Sequence, residues 1–148
     1  MIEIYTDGSS KGNPGLGGYG SILMHGDRIK EISGAFKHTT NNRMELMGVI
    51  EALKCLKKEG LDITIYSDSK YVVDGIEKGW YKGWIKKDWK DVKNPDLWKP
   101  LIELYNKHNI KFVWVKGHSS NKWNNRCDEL ATSAYLNGNI NEDKGYIR

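Results

Sequence analysis

The sequence predicts an α/β fold built on one mixed sheet, and three observations carry that prediction. Strand-like runs come as a group of three and then alternate with helical runs, in the order strand, strand, strand, helix, strand, helices, strand, helix. Such an order calls for an antiparallel group at the front, with parallel strands added behind it through right-handed crossovers. The length of 148 residues suits one domain with one core, and no repeat or linker divides it. Six Trp and eight Tyr bring large apolar area to a chain that is only 39% hydrophobic, which argues against disorder.

The first strand is read over residues 2–6, where Ile2, Ile4 and Thr6 share one face and Glu3 and Tyr5 the other. GSSKGNPGLGG follows, and its glycines and proline predict an irregular loop over Gly8–Gly18. YGSILM and RIKEISGAF read as an antiparallel pair turning at HGD. Thr40 or Asn41 is expected to cap a helix starting close to Arg43, with Leu46, Ile50, Leu53 and Leu56 as its apolar stripe and Gly60 as its stop. LDITIYSD is the next strand, and residues 69–77 form a short helix from a Ser69 cap. GWYKGWIKKDWKD carries helical spacing only in pieces, interrupted by Gly79 and Gly83. Asp96 is expected to cap a helix running to about Lys107, with Pro100 in its first turn. NIKFVWVKG is a strand ending at Gly117, and the last helix spans about Asn121 to Leu136. The tail, residues 138–148, reads as loose.

Charge and cysteine usage narrow the function classes. The formal net charge is +4. The window Lys78–Lys93 holds six Lys against Asp88 and Asp91, which leaves 17 basic and 17 acidic residues elsewhere. All of the net charge thus maps to residues 78–93, the mark of a local anion-binding patch. Cys55 and Cys127 lie apart in helical patterns with no CxxC unit, so neither a structural zinc nor a disulfide framework is expected. Reduced thiols, no membrane-length apolar run and no signal-peptide flank at residue 1 together place the expected location in the cytoplasm.

The chemistry is concentrated in four carboxylates. Asp7 ends the first strand, Asp68 ends the LDITIYSD strand, Glu45 lies about one turn into its helix, and Asp128 sits in the last helix beside Cys127. Functional groups of α/β sheets gather at the C-terminal ends of parallel strands, so Asp7 and Asp68 are expected to meet there. Glu45 and Asp128 are expected to be aimed at the same point. Clustered carboxylates repel each other, and a divalent cation relieves both the repulsion and the cost of burial. Mg²⁺ takes hard oxygen ligands and retains waters, and two such ions ~4 Å apart stabilise the attacking and leaving oxygens of a phosphoryl displacement. Taken singly, each carboxylate is explained by a cap, a surface position or a salt bridge; the set of four is not.

Other residues surround this set. His118, in the loop GHSSNKWN, is placed to move a proton, whereas His25, His38 and His108 lack a carboxylate-rich setting. Gly8 and Asn13 can offer backbone and side-chain groups to a sugar-phosphate chain, and Thr40 and Asn41 at a helix start make a phosphate pocket. Trp80, Trp84 and Trp89 alternate with Lys82, Lys86, Lys87 and Lys90. Internal packing is the leading expectation for Trp80 and Trp84, beside base or sugar stacking, and phosphate attraction is the leading one for the lysines.

The motifs IYTDGSSKGNPGLGGYG, TTNNRMELMGVIEAL, YSDSKYVVDGI, the Trp/Lys segment, WVKGHSS and NNRCDELA occur in the order found in type 1 ribonuclease H. The chain resembles the bacterial ribonuclease HI branch of that family over nearly its whole length. The resemblance implies one domain, residues 1–148, on a five-stranded mixed sheet flanked by helices, with residues 78–93 as a basic protrusion that clasps the DNA strand. It implies an endonuclease that cuts the RNA strand of an RNA–DNA hybrid with two Mg²⁺ ions, for which Mn²⁺ can substitute. Asp7 would bridge the ions, Glu45 and Asp68 would complete one, and Asp128 would hold the other near the attacking water. His118 would transfer a proton or assist product release. Gly8, Asn13 and Asn41 would read RNA 2′-hydroxyls, with Thr40 and Asn41 beside a DNA phosphate.

Two departures stand out. Lys70 takes the place of an expected Gln near the minor groove, and lysine cannot accept a hydrogen bond. Asn124 and Asn125 replace a more acidic patch. A monomer is expected, with no hybrid-binding module ahead of residue 1. Rival readings are a nonhydrolytic binding module, a resolvase-like nuclease and a small-molecule phosphatase. The carboxylates oppose the first, GNPG and TTNNRMEL the second, and the basic protrusion the third.

Overall fold

In the computed structural model, which describes residues 1–117 and 121–146, the first three strands form an antiparallel meander: β1 (Ile2–Lys11), β2 (Gly15–His25) and β3 (Arg28–Thr39). Helix α1 (Asn41–Lys54) leads to β4 (Asp62–Ser67), which lies parallel to β1. Helices α2 (Lys70–Glu77), α3 (Trp80–Lys86) and α4 (Pro95–Tyr105) follow, then β5 (Asn109–Trp114), parallel to β4. Helix α5 (Lys122–Asn137) and the two-residue β6 (Ile140–Asn141) end the series. The sheet order is β5-β4-β1-β2-β3-β6. The expected mixed five-stranded sheet is therefore present, with β6 as a short addition to its β3 edge.

The sheet is covered on both faces. Alternation along β1 sends Ile4 into the larger core, with Leu46, Val49 and Leu53 of α1, Ile65 of β4, Val72 of α2 and Trp98 of α4. It sends Tyr5 to the opposite face, where Ile22 and Cys127 of α5 pack against it. Cys55 and Cys127 are both free thiols. Among the described residues, no helix is long and apolar enough to cross a membrane.

Three expectations need correction. The glycine-rich segment is mostly strand, since β1 runs on to Lys11 and β2 starts at Gly15. Its glycines serve close packing: a Cβ on Gly18 would stand 2.6 Å from the Ala131 carbonyl oxygen of α5. Helix α4 starts two residues earlier than expected, after a left-handed Asn94 (φ 59°), and the carboxylate of Asp96 turns instead to Arg43, 2.6 Å away. The tail expected to be loose is tied down as far as it is described. Ile140 and Asn141 pair with Ala35 and Phe36, and the Asp143 side chain lies 2.7 Å from the Arg43 guanidinium. A short, mostly polar tail carries no periodicity, so only its charge match to a distant arginine could have announced this.

Candidate metal centre

Parallel pairing of β1 with β4 ends where Thr6 stands opposite Ser67, so the next residues, Asp7 still in β1 and Asp68 just past β4, are neighbours at that end of the pair. Glu45 reaches them from the first turns of α1, where Arg43, Met44, Glu45 and Leu46 are all buried. Thr40 starts that helix, its Oγ1 accepting from the Arg43 N–H at 3.2 Å. Gly8 brings β1 and α1 together, since a Cβ on it would stand 2.5 Å from the Glu45 amide nitrogen. The result is a group of three carboxylates, Asp7, Glu45 and Asp68, with one oxygen from each lying within 4.8 Å of the others.

The surroundings are poor in compensation. Asp7 and Glu45 are 5% and 8% exposed. The Gly8 N–H donates to Asp7 Oδ1 at 2.9 Å. Among the described residues, however, Glu45 Oε1 and Asp68 Oδ1 are buried without a hydrogen-bond partner. Burial, followed by the charges of Asp68 and Asp128, pushes the Asp7 carboxyl up to about 8. Burial, followed by the charges of Asp7 and Asp68, holds Glu45 well above the usual carboxylate range. Three clustered carboxylates, two of them with a buried oxygen that has no partner among the described residues, form a hard, all-oxygen donor set, which fits a divalent cation such as Mg²⁺. Asp128, half-buried on α5, stands outside the tight group of three, yet its charge reaches Asp7. His118 lies outside the described residues.

The residues expected to touch a nucleic acid divide into two groups. Beside the carboxylates, the β1–β2 turn folds onto the start of α1. Asn13 Oδ1 accepts from the Asn41 N–H at 3.1 Å, and Asn41 Oδ1 accepts from the Ser10 N–H at 2.7 Å. Gly8, Asn13, Thr40 and Asn41 thus belong to one continuous rim. Lys70 is exposed near the other side, with Nζ 4.8 Å from the ring centroid of Trp114, whose indole N–H donates to the Asp68 carbonyl at 3.1 Å.

The second group is the basic arm. Lys82, Lys86, Lys87 and Lys90 are exposed. The two tryptophans of α3 part company: Trp84 packs edge-on to buried Trp98, ring centroids 4.9 Å apart, whereas Trp80 is 46% exposed beneath Lys78. The packing expectation holds for Trp84 and fails for Trp80. Helical spacing marks both residues alike, but only Trp84 faces α4.

Arg43 and Trp114 are site neighbours that spacing alone does not single out, and the close packing of Gly8 on α1 is a second role beside its expected backbone contact. An arginine preceding an apolar stripe reads as solvated surface, and a glycine in a glycine-rich run reads as loop. Only the pairing of distant elements gives either residue its place.

The sequence profile of the RNase H family matches residues 1–135. A ribonuclease H from Syntrophomonas wolfei is 53% identical over 138 residues, covering 90% of this chain and 94% of that protein. A ribonuclease HI from a Synechocystis species is 46% identical over 151 residues, covering 98% and 94%. Among solved structures, LC9-RNase H1, described as a type 1 RNase H with the type 2 active-site motif, superposes with a TM-score of 0.83 at 28% identity, covering 93% of this chain and 73% of that one. LC11-RNase H1, solved in complex with an RNA/DNA hybrid, superposes with a TM-score of 0.67 at 25% identity, covering 92% and 97%.

Proposed function

Because the chain belongs to the RNase H family, type 1 branch, we propose that it is an endonuclease hydrolysing the RNA strand of RNA–DNA hybrids. The observation that carries this reading is the convergence of Asp7, Glu45 and Asp68 oxygens within 4.8 Å. A pair of Mg²⁺ ions, or Mn²⁺ in their place, would supply Lewis acidity at the scissile phosphate and a water of lowered pKa.

The residues would share the work as follows. Asp7, the most central carboxylate, would serve both ions; Glu45 and Asp68 would complete one, and Asp128 the other. Their fixed placement would hold the attacking water in line with the departing 3′-oxygen, giving 5′-phosphate and 3′-hydroxyl ends. His118 would move a proton or ease product departure. The Gly8 backbone, Asn13 and Asn41 would meet the RNA 2′-hydroxyls, which distinguishes RNA from DNA without reading base sequence. Thr40 and Asn41 would hold a DNA phosphate at the start of α1.

Lys82, Lys86, Lys87 and Lys90 would attract the DNA strand, with exposed Trp80 stacking beside them and Trp84 holding the arm to the core. Lys70 would donate to a base edge, a sugar or a phosphate. The chain would act as a monomer in the cytoplasm.

The test is an end-labelled RNA–DNA hybrid incubated with Mg²⁺ or with chelator, beside duplex DNA, duplex RNA and single-stranded RNA. Cutting confined to the RNA of the hybrid and abolished by chelator is the expected result. Tight hybrid binding without cutting would make the chain a binding module, and cutting of DNA would make it a resolvase-like nuclease.

A further inference from the structure

We propose that Asp143, in the segment after α5, is a positioning residue for the DNA-strand side of the site, acting through Arg43. The inference rests on the hybrid-cleavage reading above and adds to it a residue remote from the carboxylates. Arg43 and Asp143 have side chains only 2% and 3% exposed. The guanidinium has five N–H groups, and the structure gives it five hydrogen bonds. Nε and Nη2 donate to Asp143 at 2.7 and 2.9 Å. Nη1 and Nη2 donate to Asp96 at 2.9 and 2.6 Å, and Nη1 also donates to Asn94 Oδ1 at 3.2 Å. With every donor committed and two carboxylates against one guanidinium, Arg43 has nothing left for a phosphate. Its effect on a substrate must pass through what it holds.

It holds two things in register. The first is the start of α1: Arg43 is the third residue of that helix, its N–H is capped by Thr40, and the Thr39 hydroxyl donates to Asp143 at 2.7 Å. The second is the start of α4, through Asp96 and Asn94, whose amide donates to the Tyr71 hydroxyl at 3.1 Å. Asp143 thus ties Thr39 and Arg43 into one joint, and Tyr146 and Gly145 close over it. The Tyr146 ring centroid is 5.8 Å from Arg43 Cζ, and a side chain on Gly145 would collide with Asp96. A buried charge network is weak evidence for stability, because apolar packing of the same volume serves as well. What it adds is a fixed geometry between Thr40–Asn41 and the α4 start that leads into the basic arm. Loosening that geometry should impair capture of the DNA strand and leave the carboxylate centre unchanged.

The test uses the full chain with Asp143→Asn, Asp143→Glu and, as a milder variant at a partly exposed residue, Asp96→Asn. Cleavage of a hybrid is followed well below each variant's melting temperature, with hybrids carrying a single uncharged methylphosphonate at successive DNA-strand positions. D143N should raise KM about tenfold while kcat at saturation stays within about twofold. At the position where a methylphosphonate penalises the wild type, the penalty should shrink in D143N and D96N, because the two losses are not additive when they strike the same contact. D143E should recover part of the KM. A fall in melting temperature with KM unchanged, a fall in kcat alone, or an undiminished methylphosphonate penalty would overturn the proposal and leave Asp143 a stabilising residue only. If the wild type does not cut the hybrid, the proposed function fails first and this inference fails with it.

Discussion

Gly8 lies against the backbone of Glu45 so closely that a Cβ at position 8 would stand 2.5 Å from the Glu45 amide nitrogen. The contact is backbone to backbone, and no flexible side chain can give way. Gly8→Ala should therefore push β1 from α1, at a cost of about 1–3 kcal/mol. Because Asp7 and Glu45 sit on the two elements being parted, half-saturation by Mg²⁺ should move upward as well. Thermal melts and a Mg²⁺ titration of hybrid cleavage check both effects.

Asp7→Asn should reduce turnover by about a thousandfold or more, since it removes the carboxylate that interacts with Asp68, Asp128 and Glu45 alike. The same change removes a carboxyl whose ionisation is opposed by burial and by its neighbours, so near neutral pH the metal-free variant should melt at or above the wild-type temperature. Near-normal Mg²⁺-dependent cutting would remove Asp7 from the bridging position.

Stability without metal should fall as pH rises. The ordinary value for Asp7 is 3.8 and the fold pushes it up to about 8, and Glu45 is shifted in the same direction. A carboxyl whose folded value is raised binds its proton more tightly when folded. Its contribution is complete below the unfolded value and is lost as pH climbs through the folded one. Melting temperatures in chelator should thus decline between about pH 4 and pH 8. Saturating Mg²⁺ should flatten the decline, and Asp7→Asn should reduce it. Melts across this range, with and without Mg²⁺, are the check.

The two tryptophans of α3 should behave as opposites. Trp84→Ala removes a ring packed on Trp98 and should cost about 3 kcal/mol. Trp80→Ala should leave the melting temperature within a degree or so and weaken hybrid binding. Paired melts and affinity measurements distinguish them.

Lys86→Ala should weaken hybrid binding chiefly at low salt. If the lysine meets one phosphate, the slope of log affinity against log salt should fall in magnitude by about 0.9. Binding isotherms at several salt concentrations give that slope directly.

The sequence made some of this fold plain and hid the rest for physical reasons. Thr40 and Ser69 cap α1 and α2 as their residue types suggest, and Asp68 follows directly on β4, whereas Asp7 lies inside β1 at the point where its parallel pairing with β4 stops. The caps and the end of β4 are local signals. The glycine-rich segment looked like a loop because glycine count marks flexibility, whereas here Gly8 and Gly18 answer to the helices that press on them. The burial of Arg43 is not legible locally, because a charged residue is buried only by partners that arrive from far along the chain, at Asp96 and Asp143. Trp80 and Trp84 share one spacing, and only the placement of α4 separates them.

The parallel pairing of β1 with β4 has a kinetic consequence. Asp7 comes from the first strand of the meander, and Asp68 joins it only when a strand from beyond α1 docks alongside. Neither the hairpin nor the hairpin with α1 contains the complete trio. A cation that needs all three oxygens therefore finds no partner in half-built chains. Mg²⁺ should accordingly slow unfolding far more than it hastens folding, and its residence on the protein would report that the last central strand has docked.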